Sequence, residues 1–263
     1  MNNLLIQQPP APVPARRTAR KSMLLHCGAK PASREEVFTT RTPESTPTWY
    51  PLPHRHLINE VEGQLRAAGF LLEDEAHALT HDGARYFGAF QVGLPGRPPA
   101  DYGWVVGLRN SHDKSYPAGL VAGTRVLVCD NLSFTGEVRI SRKHTRFAAR
   151  DVRHLTARAV GQLGERFRKL DERVLAYRGR GLTDPKAHDL IVKAIDCRAI
   201  TPTQVPAILG QWREPSHDEF RPRTAWSLFN AITEGNKGIS PNAMIARSQA
   251  LHGLFDGAVG LAN

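Results

Sequence analysis

The amino-acid sequence predicts an α+β fold, in which a long amphipathic helix packs on an antiparallel β-meander and a helical C-terminal region follows. Three observations indicate this class. Between residues 70 and 108, apolar and polar residues alternate, as in strands that are buried on one face. From Val152 to Val174, apolar residues recur every three or four positions, which is typical of an amphipathic helix. After residue 182, capping side chains stand ahead of prolines, as at helix starts.

Changes in composition divide the chain into three predicted parts. Residues 1–21 are rich in proline and carry basic residues without an acidic one, so we expect a disordered basic arm. Residues 22–175 are expected to form the α+β core domain. Residues 182–258 are expected to form the helical C-terminal region.

The elements of the core domain are predicted in order along the chain. His54 to Gly69 has apolar residues at helical spacing and ends in glycine, which predicts one amphipathic helix. A tight turn is expected at residues 81–83, and a short helix or loop at 115–123. The predicted strands are 70–79, 86–92, 102–108, 125–129 and 138–140.

The later helices carry two apolar stripes. The helix around Val152 to Val174 is about 25 residues long and basic on its other side. Trp226, Phe229 and Ile232 form a separate stripe. Because a small sheet domain covers only part of these surfaces, we expect a homo-oligomer. Helices that fold back over both stripes within one chain are the alternative. The expected helix caps are Asp184, Thr201 and Ser240.

Charge and cysteine content narrow the function classes. The net charge of +10 favours an anionic partner, most often nucleic acid. Three cysteines without a CxxC pair argue against a disulfide framework and against a structural zinc site. No apolar run reaches the length of a membrane span, so we expect a cytoplasmic protein without a membrane partner.

The sequence lacks the common catalytic and cofactor motifs. It contains no GxxxxGK[ST], GxSxG or HExxH. His112 with Asp113, and Cys129 with Asp130, are metal-ligand types, but their spacing is unspecific. We therefore expect no catalytic residues, no cofactor and no bound metal.

Polar clusters follow the apolar runs, and residues at strand ends commonly line one surface. We expect these clusters to bind the phosphate backbone of nucleic acid through guanidinium groups and hydrogen bonds. The candidate binding residues are Arg109, Asn110, Ser111, His112, Lys114, Ser115, Asn131, Arg139, Arg142, Lys143, His144, Arg146, Arg150 and Arg153. A structural interpretation stays open, in which Arg109 pairs with Asp113 or Asp130 inside the fold and Asn131 makes a turn.

Aromatic residues near these clusters are candidates for stacking on bases. They are Tyr86, Phe87, Tyr102, Trp104 and Tyr116. Aromatic residues on strands also commonly belong to a core, and this alternative stays open.

Six ordered motifs carry a family resemblance. They are LLHCGA (24–29), PLPHRHLI (51–58), GLRNSHDKS (107–115), VCDNLSF (128–134), RKHT (142–145) and WSLFNAITEGNKG (226–238). Together they resemble the phage/plasmid-like family of a domain of unknown function, over about residues 22–256. The resemblance implies carriage on mobile elements and leaves the role undefined. At the level of the fold, the order helix, meander, helix is also similar to the Rad-type and Red-type single-strand annealing proteins.

The expected function is therefore that of a phage- or plasmid-encoded nucleic-acid-binding protein. We expect it to bind or anneal single-stranded DNA without catalysis. Two alternatives from other classes remain. One is a phage-encoded interaction protein that acts on a host defence or replication protein, and the other is a metal-dependent enzyme that acts on nucleic acid.

Overall fold

The computed structural model describes residues 29–97, 100–127, 131–134, 140–142 and 144–261. Within them the chain forms a seven-stranded antiparallel sheet and α-helices, which confirms the predicted α+β class. The strands are β1 (Lys30–Ala32), β2 (Leu71–Thr80), β3 (Arg85–Gly93), β4 (Tyr102–Ser111), β5 (Ala118–Val126), β6 (Asn131–Phe134) and β7 (Ile140–Arg142). The helices are α1 (Arg34–Thr39), α2 (His54–Ala67), α3 (Ala148–Gly179), α4 (Asp184–Asp196), α5 (Val205–Arg213), α6 (Ala225–Gly235) and α7 (Pro241–Val259). The predicted basic arm, residues 1–21, lies outside the described residues.

The sheet is a meander. Strands β1 to β6 are neighbours in sequence order, and β7 pairs with β5 beside β6. The predicted turn between β2 and β3 is confirmed, since His81, Asp82 and Gly83 have φ values of 54°, 53° and 84°. Consecutive residues with positive φ match the twist of the two strands that a tight hairpin joins.

The prediction of a short helix or loop at 115–123 is wrong, because β5 occupies most of this range. All nine residues of β5 are buried, and its sequence AGLVAGTRV combines this lack of a polar face with several Ala and Gly residues, which are uncommon in strands. Gly123 is needed at this place, because a Cβ here would overlap the carbonyl of Ser133 on β6. The short strands β1 and β6 and helix α1 were not predicted either. Residues 128 and 129, at the end of the predicted strand 125–129, lie outside the described residues.

Two layers of helices cover the sheet. Helices α2 and α3 pack on one face, where Phe90, Trp104 and Leu120 meet Val61 and Phe167. On the opposite face, buried strand residues pack with Met244 near the start of α7. The strand residues are Ala78, Phe87, Ala89, Val105, Val121, Leu132 and Phe134. A third cluster joins the C-terminal helices to the end of α3.

Helix α3 belongs to both parts of the molecule. It is 32 residues long, and Val152 to Leu170 face the sheet layer, whereas Val174 and Tyr177 join the C-terminal cluster. The proposed boundary at residue 175 therefore falls within a helix. The division into domains 22–175 and 182–258 stays a prediction.

The C-terminal helices fold back over the apolar stripes. Trp226, Phe229 and Ile232 are buried within the chain, as the alternative interpretation expects. The argument for a homo-oligomer from this stripe is therefore wrong. Ser240 caps α7 through its side chain, and Thr201 forms a capping box, as predicted. Thr183, not Asp184, is the residue ahead of α4.

No helix in the described part of the chain is long and apolar enough to cross a membrane.

Candidate nucleic-acid interface

The structure separates the predicted binding residues by burial. Asn110, Ser111, His112, Asn131 and His144 are buried. Lys114, Ser115, Arg146, Arg150 and Arg153 are exposed, and Arg109 is half-buried beside Tyr116, with the guanidinium 5.6 Å from the ring centroid. Arg142 lies in β7, whereas Arg139 and Lys143 lie outside the described residues. The expectation that all these residues share one open surface is therefore corrected.

The buried members surround one peptide unit, that of Leu52, and we call this arrangement the Leu52 hub. Asn110 Nδ2 and His112 Nε2 both donate to the Leu52 carbonyl, at 2.7 and 2.9 Å. The Leu52 N–H donates to His144 Nδ1 at 2.8 Å. Pro51 and Pro53 have no N–H, so this amide is the only donor of its tripeptide. The hub thus joins three of the six motifs, PLPHRHLI, GLRNSHDKS and RKHT.

His54 completes the hub at the first turn of α2. Its Nε2–H donates to the Gly83 carbonyl at 2.9 Å, and its Nδ1 accepts from Asn110 Nδ2 at 2.9 Å. Its ring stacks on His112 with a centroid separation of 3.9 Å. Two neutral rings can stack in this way, whereas two imidazolium rings would repel each other.

The hub histidines are held neutral by burial. Desolvation, helped by the neighbouring His112, lowers the pKa of His54 to about 3 and that of His144 to about 4. Desolvation also lowers the pKa of His112. Their hydrogen bonds are made within the protein, so a phosphate could reach them only if the hub opened. Burial therefore disfavours direct nucleic-acid contact by Asn110 and the hub histidines.

A second buried network was missed by the sequence analysis. Ser133 Oγ on β6 lies 2.9 Å from His252 Nε2, and Tyr177 OH donates to Asp256 Oδ1 at 2.6 Å. Arg173 Nε donates to both oxygens of Asp256. The Ser133 and His252 pair resembles a nucleophile with its base, but both side chains are buried between β6 and α7. The network joins β6, α3 and α7, and no short motif marks residues so far apart in sequence. Asn131 is bound beside it, since its Nδ2 donates to the Asn230 carbonyl at 3.2 Å.

The aromatic residues predicted to stack on bases are mostly core residues. Tyr86, Phe87, Tyr102 and Trp104 are buried. Both faces of Trp104 are already covered, by Phe167 at 4.6 Å and by the Arg97 guanidinium at 4.0 Å. These four residues therefore offer no free stacking surface, and Tyr116 is half-buried.

The exposed basic residues surround an aromatic ring that the sequence analysis missed. Phe147, directly ahead of α3, is 50% exposed. The guanidinium groups of Arg150 and Arg146 lie 4.5 and 5.8 Å from its ring centroid. We call Arg146, Phe147, Arg150 and Arg153 the basic-aromatic patch. One acid is close, since Arg150 Nε donates to Asp151 Oδ1 at 3.0 Å. The available signal was an aromatic residue between basic ones in RKHTRFAAR.

The basic face of α3 is confined to its first half. Arg168, further along the helix, forms ion pairs with Glu165 and Glu172. Next to Phe147, Arg146, Arg150 and Arg153 carry three positive charges, and Asp151 pairs with Arg150. Among the described residues, no group of three or more His, Cys, Asp or Glu side chains is arranged to hold a metal ion.

Comparison with known families agrees with the resemblance at the level of the domain. A model described as a domain of unknown function, DUF932, matches residues 52–250, which is more than half of the chain. The chain belongs to the DUF932 family. The DUF932 match begins at Leu52 and includes the rest of the hub and the whole basic-aromatic patch. No curated protein and no solved structure matches the chain.

Proposed function

We propose that this DUF932 protein binds single-stranded nucleic acid, in the first place DNA, through the basic-aromatic patch and without catalysis. The observation that carries the proposal is the half-exposed ring of Phe147 with two guanidinium groups at 4.5 and 5.8 Å from its centroid. The guanidinium groups lie over the ring, so a base that stacks on Phe147 takes the place of a guanidinium on one face; stacking contributes about 1–3 kcal/mol per base. The arginines offer charge-assisted hydrogen bonds to the flanking phosphates.

Single strands suit this patch better than duplexes. In a duplex the base faces are stacked on each other, so the Phe147 ring would have no partner. We expect binding without sequence preference, because every base has a π-face that can stack and the guanidinium groups of the patch bind phosphates, which all nucleotides share. The net charge of +10 supports attraction to a polyanion over the whole molecule.

The finer proposal is annealing of complementary strands on a phage or plasmid. It is supported by the order of helix, meander and long helix, which is similar to that of single-strand annealing proteins. It is also supported by the phage/plasmid-like resemblance of the motifs. Both are analogies with other proteins.

Fluorescence anisotropy with a labelled 30-nucleotide oligo(dT) and a duplex of equal length tests the proposal. We expect tighter binding to the single strand. Phe147→Ala and Arg150→Ala should each weaken it at least fivefold, through the lost stacking face and the lost phosphate contact. Leu175→Ala and Arg168→Ala are matched controls on α3, because Leu175 is exposed and Arg168 is neutralised by its acidic neighbours. These controls should stay within twofold of the unsubstituted protein.

Salt dependence supplies a second measure. If the three arginines of the patch each neutralise one phosphate, log affinity falls with log salt at a slope of about −2 for a single strand. Arg150→Ala should make the slope shallower by about 0.7. Affinity that does not change with salt, or that is equal in the patch variants and the unsubstituted protein, overturns the proposal.

A further inference from the structure

A second pair of a cation and an aromatic ring lies near the patch. The Lys114 ammonium is 5.1 Å from the centroid of the Trp49 ring. Lys114 is exposed and Trp49 is half-buried, whereas Trp104, Trp212 and Trp226 are buried. This pair repeats the composition of the patch, in which arginines flank Phe147.

The turn that carries Lys114 has a fixed and uncommon conformation. Lys114 has a φ of 66°, which residues other than glycine rarely adopt. Asp113 holds the turn, because it accepts from the Ser115 N–H at 3.0 Å and from Arg85 Nε at 2.6 Å. Strained backbone of this kind is concentrated at functional sites. A lysine in a left-handed turn that is tied down on both sides presents its charge at a defined place.

His144 joins this pair to the basic-aromatic patch. Its ring centroid lies 6.2 Å from that of Trp49, and its carbonyl accepts from the Tyr50 N–H at 3.0 Å. Phe147 follows three residues later, and the Ala148 N–H donates to the Thr145 carbonyl at the start of α3. Trp49 thus contacts the His144 ring, and Phe147 lies three residues further along the chain from His144.

We infer that Trp49 and Lys114 form a second stacking station for the same single strand, with a base on Trp49 and a phosphate on Lys114. This inference rests on the proposed function and extends its site from the start of α3 to the residues before Leu52. A strand that stacks one base on Phe147 and another on Trp49 gains both contacts for one loss of translational freedom. The ligand class is a flexible single strand of several nucleotides rather than a mononucleotide.

Intrinsic tryptophan fluorescence tests the inference directly, because Trp49 is the tryptophan that solvent reaches. Oligo(dT) of 16 nucleotides, titrated into the full-length chain, should quench the emission in parallel with the anisotropy change. Trp49→Phe keeps an aromatic ring, so it should bind within about threefold of the unsubstituted protein and lose the quenching. Free thymidine monophosphate at equal absorbance controls for light absorption by the bases.

Two further variants measure the contribution to affinity. Trp49→Ala and Lys114→Gln should each weaken binding to 16-nucleotide oligo(dT) at least fivefold, and circular dichroism checks their folding. Lys186→Gln, an exposed lysine on α4, is the charge control and should leave affinity unchanged. If Trp49→Ala fails to fold, Trp49→Phe and Lys114→Gln still decide the matter.

The outcomes separate the two proposals. Anisotropy that shows no binding, or binding that Phe147→Ala leaves unchanged, overturns the proposed function. Binding that depends on Phe147 but causes no quenching of Trp49, or that Lys114→Gln leaves unchanged, overturns the second station alone. Quenching that follows binding and disappears in Trp49→Phe supports it.

Discussion

The peptide unit of Leu52 is bound by side chains that lie 58, 60 and 92 residues further along the chain. Asn110 contributes most, because its Nδ2 serves both the Leu52 carbonyl and His54 Nδ1. An apolar side chain at this position would leave His54 Nδ1 buried without a donor. Buried polar atoms that lose a partner cost about 1–3 kcal/mol each.

Asn110→Leu is therefore expected to lower the free energy of unfolding by about 2–4 kcal/mol, since a residue of similar size removes both hydrogen bonds. Urea unfolding followed by circular dichroism measures the change. Ser115→Ala, in the exposed part of the same motif, is the control and should stay within about 0.5 kcal/mol. A loss below about 0.5 kcal/mol in Asn110→Leu would instead favour the original interpretation of Asn110 as a ligand contact.

At the scale of elements, α3 is held between the sheet and the C-terminal helices. Asp171 on α3 accepts from Tyr102 OH and Trp104 Nε1 on β4, at 2.7 and 2.9 Å. Two residues later, Arg173 binds the buried Asp256 of α7. These contacts fix the helix at both neighbours, so its first turn presents the patch from a rigid support.

Asp256→Asn is expected to lower the free energy of unfolding by about 3 kcal/mol, because it removes the charge opposite the largely buried Arg173. Glu172→Gln is the matched control, since its partner Arg168 is exposed and such pairs contribute about 0–1 kcal/mol. Differential scanning calorimetry compares the two. Equal melting temperatures for both variants would contradict the role assigned to the buried pair.

Strong periodicity made some elements predictable from the sequence. Helices α2 and α3 each bury one face and expose the other. Strands β3 and β4 are almost wholly buried, but they carry the aromatic and β-branched residues that are typical of strands. Strand β5 is as fully buried and carries several Ala and Gly residues, which are uncommon in strands, so it escaped prediction. The candidate site, too, was predictable only in part. A cluster such as RNSHDKS shows that its residues are polar, but it does not show which side chains point into the protein. In it, Asn110 points into the hub whereas Lys114 is exposed, and only tertiary packing decides between them.

At the scale of the whole molecule, five buried histidines in the described residues make stability depend on pH. Burial lowers the pKa of His54 and His252 to about 3 and that of His144 to about 4, and it lowers those of His77 and His112. Their ordinary value in the unfolded chain is about 6.5. The unfolded chain therefore binds more protons between pH 6.5 and 4, and stability is lost as the pH falls through this window.

The free energy of unfolding is expected to be nearly independent of these histidines above pH 7 and to fall by about 4 kcal/mol per pH unit near pH 5.5. This slope corresponds to about three histidines that take up protons on unfolding. Urea unfolding from pH 7.5 to 4.5 measures it. His252→Gln should reduce the slope by about one proton, and the exposed His154→Gln should not change it. A flat profile down to pH 5 contradicts this account.

The Leu52 hub also bears on the order of events during protein synthesis. Its last member, His144, emerges from the ribosome 92 residues after Leu52, the residue that it binds. Until then the Leu52 N–H lacks its acceptor, so we expect the hub to stay open. Closure of the hub is thus coupled to delivery of the segment that continues into α3. We therefore expect the three hub histidines to become buried at the step at which the segment leading to Phe147 docks.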